Sequence, residues 1–354
     1  MYLNKIVARY ARRLQQIGSS ILVSLPSQWI KSNDLRKGNI VPVDINRDNS
    51  ISIFPSENDM QDKIKELTIP YSTVSIDILV NQVYGAYLLG YDIIRIKANS
   101  QISFEDADTI KKAMHKLVGL EIVDEDGFHI SAQFLLNADT LDAEKILRRM
   151  NAIVAGMYRD MLEAIRLKEN RSIRKVISGR DDEVDRQYFL LVRLIRSAMM
   201  DQKLAGKLNL SNIDILDYRI AANHLESAGD YIVDLANAID LGRIKTTDEI
   251  EKAGILVEKM QEESVAAFVN KNRSESNVVV KMYDDFTKII NSIKSSADPK
   301  NLESTVAVLN LTYSMDKIAR CWVDVADLVK PVHLTAPLKM HNFKIGYLDH
   351  ESQS

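Results

Sequence analysis

What the chain lacks narrows the field first. One cysteine, Cys321, in 354 residues rules out an internal disulfide. Its apolar helical surroundings are those of a buried structural thiol, not a nucleophile. No stretch approaches the roughly 20 uninterrupted apolar residues of a membrane helix, so no membrane insertion is expected. The N-terminus has no long apolar run with a small-residue cleavage site, and the reading is of a cytoplasmic protein. No Gly-rich phosphate loop precedes a predicted helix, which weakens any nucleotide-binding reading. No nucleophile and base pair or elbow motif is present either.

What is present is a chain long enough for two or three domains, with 46% hydrophobic and 27% charged residues. The net charge of -3 hides an asymmetry. Residues 1–57 hold 8 Lys and Arg against 4 Asp and Glu, whereas the rest hold 38 against 45. A basic head on an acidic body points to a polyanion partner. Within that head, Ile21 to Leu25 reads as an apolar strand ended by Pro26. Ser27 can cap a short helix, Gln28 to Ser32, and Leu35 to Gly38 makes a tight turn. Ile40 to Ile45 and Ser50 to Phe54 alternate around Asn46-Arg47-Asp48-Asn49, so they should pair as a hairpin. The expected order is strand, helix, strand, strand. A module this small with so few apolar positions cannot bury an adequate core alone, which argues for intertwining with a second copy.

The run Arg13-x4-Gly18-Ser19-Ser20-x2-Val23-Ser24-Leu25-Pro26-x2-Trp29, then Leu35-x2-Gly38-x-Ile40, resembles the AbrB-type swapped-hairpin family. The resemblance implies a homodimer that binds DNA through basic residues near the N-terminal end. Arg9, Arg12 and Arg13 would form the DNA-facing cluster, with Lys5 and Lys31 in support. Guanidinium groups suit that task because they reach phosphates and guanine edges bidentately. The competing reading is a solvated edge or part of the dimer interface.

Residues 58–139 predict a small α/β domain in the order βαβαββ, with helices at Val74 to Leu89 and Phe104 to Leu117. The acidic stretch Asp124-Glu125-Asp126-Gly127 lacks the ligand spacing of a calcium loop and reads as a hairpin turn.

From Thr140 to about Lys330 the pattern is helical. Breaks are expected near 170–178, 206–211, 242–247, 272–277 and 295–299, giving six helices in two sets of three. His224 to Ala236 lies over Ser314 to Ala326 at a constant offset of 90, which suggests a duplicated three-helix unit. Asp181 and Asp185, and Glu226 and Asp230, are each four apart, so each pair shares a helix face. Two facing carboxylate pairs are oxygen ligands for a hard or borderline cation. Asp181 and Asp182 have a plainer explanation if they open the second helix, where acids meet the positive end of the dipole. Glu226 and Asp230 are mid-helix and do not.

These residues, Asp181 to Asp185 followed by Arg186 and Glu226-x3-Asp230, resemble the acidic motifs of the PhoU phosphate-uptake regulators over roughly residues 140–330. The resemblance implies two three-helix repeats and a metal site held by Asp181, Asp182, Asp185, Glu226 and Asp230. The ion would be divalent or ferric: magnesium, manganese, iron or zinc. In the second repeat Asp316 keeps the leading acid, but Arg320 replaces the closing one. Val278, Val279 and Val280 fall where acids are expected, with Asp284 and Asp285 a turn further on. One site is expected, with Arg320 pairing to Asp316 or Asp324 instead.

The expected whole is a multidomain α+β chain: a swapped-hairpin module (1–57), a small α/β domain (58–139), a PhoU-like all-α domain (140–330) and a flexible tail (331–354) whose His333, His341 and His350 are too scattered for a site. The expected function is a phosphate-responsive transcriptional regulator, homodimeric and not an enzyme. An adaptor that controls a phosphate transporter or signalling partner without touching DNA is the alternative. A carboxylate metalloenzyme is disfavoured because His224 stands two residues before Glu226, not three after it as a di-iron bundle requires.

Overall fold

The computed structural model describes residues 10–45, 50–56, 64–71, 75–137, 140–168, 173–239, 243–244, 247–297 and 300–329. The chain forms two compact units, residues 1–65 and 66–354. Lys5, Arg9, the Asn46 to Asn49 turn and the tail 331–354 lie outside the described residues.

The first unit holds two antiparallel hairpins. Strand β1 (Gln15–Ile17) pairs with β2 (Ser20–Leu22), and β3 (Val43–Ile45) pairs with β4 (Ile51–Ile53). The second hairpin is the predicted one. The first adds a strand to the expected order, because Gly18 takes φ +60° in a two-residue turn that folds Gln15–Ile17 back on β2. The strand expected to run to Leu25 shortens to match its three-residue partner. Helix α1 (Ser27–Ser32) starts after Pro26, which occupies the N-cap position, and no side chain caps it. Ser27 is therefore the first helical residue and not the cap. None of the described residues of this unit is buried.

The second unit begins with a four-stranded sheet ordered β5 (Glu66–Tyr71), β6 (Ile93–Ala98), β8 (His129–Phe134), β7 (Leu120–Glu125). Helix α2 (Ile76–Leu88) and helix α3 (Phe104–His115) complete the predicted βαβαββ order. Strands β5 and β6 are parallel, as a helical crossover requires, and the other pairs are antiparallel. Ile94, Ile96, Ile130 and Ala132 from the sheet bury against Leu79, Val83, Ile110 and Met114 from the helices. Of the Asp124 to Gly127 stretch, Asp124 and Glu125 end β7, paired with Ser131 and Ile130, and the hairpin turn begins at Asp126, whose carboxylate accepts from the amides of Phe128 at 2.7 Å and His129 at 2.8 Å.

Six long helices follow in two sequential sets of three. The first set is α4 (Ala143–Leu167), α5 (Ile173–Met200) and α7 (Asn212–Ala238), with short α6 (Gln202–Lys207) between the last two. The second is α8 (Asp248–Asn270), α9 (Arg273–Ser295) and α10 (Leu302–Asp327). Side-chain oxygens of Asp142, Thr247, Asn272 and Asn301 cap α4, α8, α9 and α10, and Ser211 with Asp214 forms a capping box on α7. Leu147, Met150, Val154, Met157 and Met161 recur at three- and four-residue steps along α4 and are fully buried. Each such side chain contributes about 1.5–3 kcal/mol of burial. The break expected over 170–178 ends early, since α5 is helical from Ile173. Buried Ile177 and Val184 tie that turn into the core, and this outweighs the poor helix propensity of Ser178-Gly179.

Arg193 is among the side chains that join the α/β layer to the bundle. Arg193 of α5 is buried, donates to the carbonyls of Tyr87 and Tyr91 at 2.8 Å each, and pairs with Asp92 at 3.1 Å. Its guanidinium lies 3.9 Å from the Phe134 ring centroid and 5.1 Å from that of Tyr87. Among the described residues no helix is long and apolar enough to cross a membrane.

Candidate metal centre

Because α5 starts at Ile173, Asp181 and Asp185 sit in its interior, more than two turns from the N-terminus. The helix-dipole explanation for these acids therefore fails, as dipole effects fade within the first turn. Val184 on α5 and Leu225, Ala228 and Gly229 on α7 are buried, and Gly229 lies against Asp181 and Val184. Gly229 lets the helices approach closely: a Cβ there would stand 3.2 Å from Asp181 Oδ1. That same Oδ1 is buried and has no hydrogen-bond partner.

The electrostatics identify which acids share this space. Burial, followed by repulsion from Asp185, Asp230, Asp182 and Glu226, pushes Asp181 up to about 7. Asp185 is raised by burial and then by Asp230 and Asp182, with Lys116 opposing. Glu226 is raised by burial and then by Asp230 and Asp185, with Ser227 and Arg219 opposing. Asp230 is raised by burial and by Asp234. Asp181, Asp185, Glu226 and Asp230 thus act on one another across the α5–α7 face. Four partly desolvated carboxylates with one orphaned oxygen make an all-oxygen donor set that a hard cation would neutralise. Among the described residues, no three His, Cys, Asp or Glu side chains form a ready-made ligand cage. A cation would have to draw the carboxylates in by side-chain rotation.

Asp182 points elsewhere. It pairs with Lys116 at 3.0 Å. Lys116 is the C-cap residue of α3, and Tyr84 of α2 lies close enough to Asp182 and Asp185 for both to act on its hydroxyl. Neither Lys116 nor Tyr84 was evident in the sequence, because no spacing rule links α2 or α3 to α5.

The corresponding region of the second set carries an internal cation. Arg320 pairs with Asp316 at 2.9 Å, Tyr283 donates to the same carboxylate at 2.8 Å, and the guanidinium stacks over the Tyr283 ring. Asp324 instead faces His224 at 3.7 Å. Asp285 pairs with Lys288, and Val279 is buried.

Of the proposed DNA-contacting residues, Arg12, Arg13 and Lys31 are exposed, with Arg12 over the Tyr10 ring at 5.3 Å. Cys321 is buried and its thiol is pushed up to about 12, mainly by desolvation, so it is no nucleophile at neutral pH.

The fold and site define an all-α bundle with a carboxylate cluster on the face of two helices. Residues 147–239, α4 to α7, match the PhoU domain family and contain every acid of the cluster. Solved structures similar to this chain include two PhoU proteins. The PhoU of Pseudomonas aeruginosa is 15% identical, with a TM-score of 0.44 over 55% of this chain and 96% of its own. The phosphate transport system regulatory protein PhoU of Streptococcus pneumoniae is 14% identical, with a TM-score of 0.41 over 53% and 91%. No curated protein sequence matches the chain.

Proposed function

We propose that this chain is a phosphate-responsive regulator whose PhoU domain binds a cation and whose N-terminal module pairs two copies to read DNA. The observation that carries this reading is that the PhoU-domain match spans the partly desolvated carboxylates of α5 and α7. Asp181, Asp185, Glu226 and Asp230 would hold the ion, drawn from magnesium, manganese, iron or zinc. Once bound, the ion would supply positive charge that relieves the repulsion among the four acids and ties α5 to α7. The protein's own part is to hold the four oxygens on a packed helical face, with Asp181 placed by Gly229.

The DNA half rests on the first unit. Ile17, Ile21, Ile45 and Ile51 are exposed on its two hairpins and Ile40 on the segment before β3, with Ile40 at 84% and Ile45 at 77%. Apolar surface of that kind is what a second copy would cover. Arg12 and Arg13 enter β1 from the basic N-terminal end, so pairing two modules would present four arginines to a duplex.

Two measurements test the reading. Elemental analysis of the purified chain should find metal that is lost in Glu226→Gln/Asp230→Asn. Gel shifts with DNA upstream of the protein's own gene should show specific binding that Arg12→Ala/Arg13→Ala weakens. Binding indifferent to those arginines would leave the adaptor reading, in which the acidic bundle alone meets a transporter or signalling partner.

A further inference from the structure

Lys116 belongs to the α/β domain yet sits beside the carboxylate cluster of the bundle. Its Nζ lies 3.0 Å from Asp182 Oδ1, and both side chains are more than half exposed. Asp185 also acts on it, as does the Tyr84 hydroxyl. Next to it, Arg186 of α5 donates to the carbonyl of His115 at 2.9 Å, at the last turn of α3. The C-terminus of α3 is thus clasped by two adjacent stations on α5, one on each side of Asp185. Lys and Arg both belong there, since the carbonyls at a helix C-terminus favour cations. The opposing charges that face Lys116 are Asp182 and Asp185 from α5, and the uncharged Tyr84 hydroxyl of α2 lies beside it.

We propose that Lys116 is a resident counter-cation of the carboxylate cluster, one that competes with a bound metal ion and transmits site occupancy to the α/β domain through the last turn of α3. This rests on the metal-binding reading above. The physical basis is competition for one pool of negative charge. An ion held by Asp181, Asp185, Glu226 and Asp230 repels the ammonium beside Asp185, weakens the Lys116–Asp182 pair, and loosens the end of α3 that the pair anchors. Conversely, the ammonium lowers the affinity of the cluster for cations.

The test is a calorimetric titration of the full chain with manganese(II), comparing wild type with Lys116→Met and Lys116→Arg, alongside hydrogen exchange over residues 112–118. Lys116→Met keeps the stem and removes the charge at an exposed position, so folding should be unaffected. It is expected to bind manganese more tightly, by up to about fivefold, the most that a solvent-exposed pair supplies. Lys116→Arg should bind as wild type does. Saturating manganese should speed exchange in the last turn of α3 in wild type and have no effect there in Asp181→Asn. Unchanged affinity in Lys116→Met, with wild type binding normally, overturns the inference and leaves the metal site standing. An absence of manganese binding in wild type and Lys116→Met alike removes the metal reading, and the inference with it.

Discussion

Asp181 shows what a single position gains from its neighbours. Its carboxyl holds a proton to about pH 7 in the folded chain, against about 4 when unfolded. Between those values the folded state binds more protons, so the stability of the metal-free protein falls as pH rises through that window and stays lower above it. Asp181→Asn removes this penalty. In chelating buffer it should raise Tm by about 2–4 °C at pH 8, the shift that about 1 kcal/mol produces in a domain of this size, and the gain should vanish at pH 4. A Tm below wild type at pH 8 in thermal scans would overturn the account. Arg193 is the opposite case, a buried charge fully paired. Arg193→Met strips donors from the carbonyls of Tyr87 and Tyr91, and urea unfolding should record a loss of about 2–3 kcal/mol. Glu226 and Asp230 were legible as mid-helix acids. Lys116 and Arg193 were not, since their partners are far away in the chain.

At the scale of elements, the two sets of helices differ in how they settle acidic charge. The α5–α7 face leaves four carboxylates to repel one another, whereas on α10 Arg320 already pairs with Asp316 four residues earlier. Arg320 is largely exposed, so Arg320→Ala should cost less than about 1 kcal/mol. It should also leave the metal content of the purified protein unchanged, a result that elemental analysis will give directly. The Arg320 pairing could be read from the sequence because residues four apart on a helix meet whatever the fold. The start of α5 could not, since burial of Ile177 and Val184 carried the helix through a stretch of weak propensity. Strand β1 was missed for a related reason: Gln15-Gln16-Ile17 has no alternation to betray it, and only pairing through the Gly18 turn makes it a strand.

For the whole molecule, the two units bury their apolar surface to very different extents. The α/β sheet and helical bundle have continuous cores, whereas none of the described residues of the first unit is buried. Sedimentation of the full chain should therefore give a dimer, and Ile17→Lys/Ile45→Lys should shift it to monomer while the helical content holds. If the paired arginines meet phosphates, Arg12→Ala/Arg13→Ala should lower the slope of log affinity against log salt by about 2 for each copy bound. An unchanged slope would place these residues off the DNA. Spacing along the chain was enough for the order βαβαββ, the two sets of three helices and the acids on a shared helix face, though not for β1 or the start of α5. Only the tertiary structure decided which of those acids lose water together, that Asp182 turns to Lys116, and that Arg193 binds sheet to bundle. The Lys116 and Arg193 contacts join residues 66 to 106 positions apart, and no local pattern records that distance.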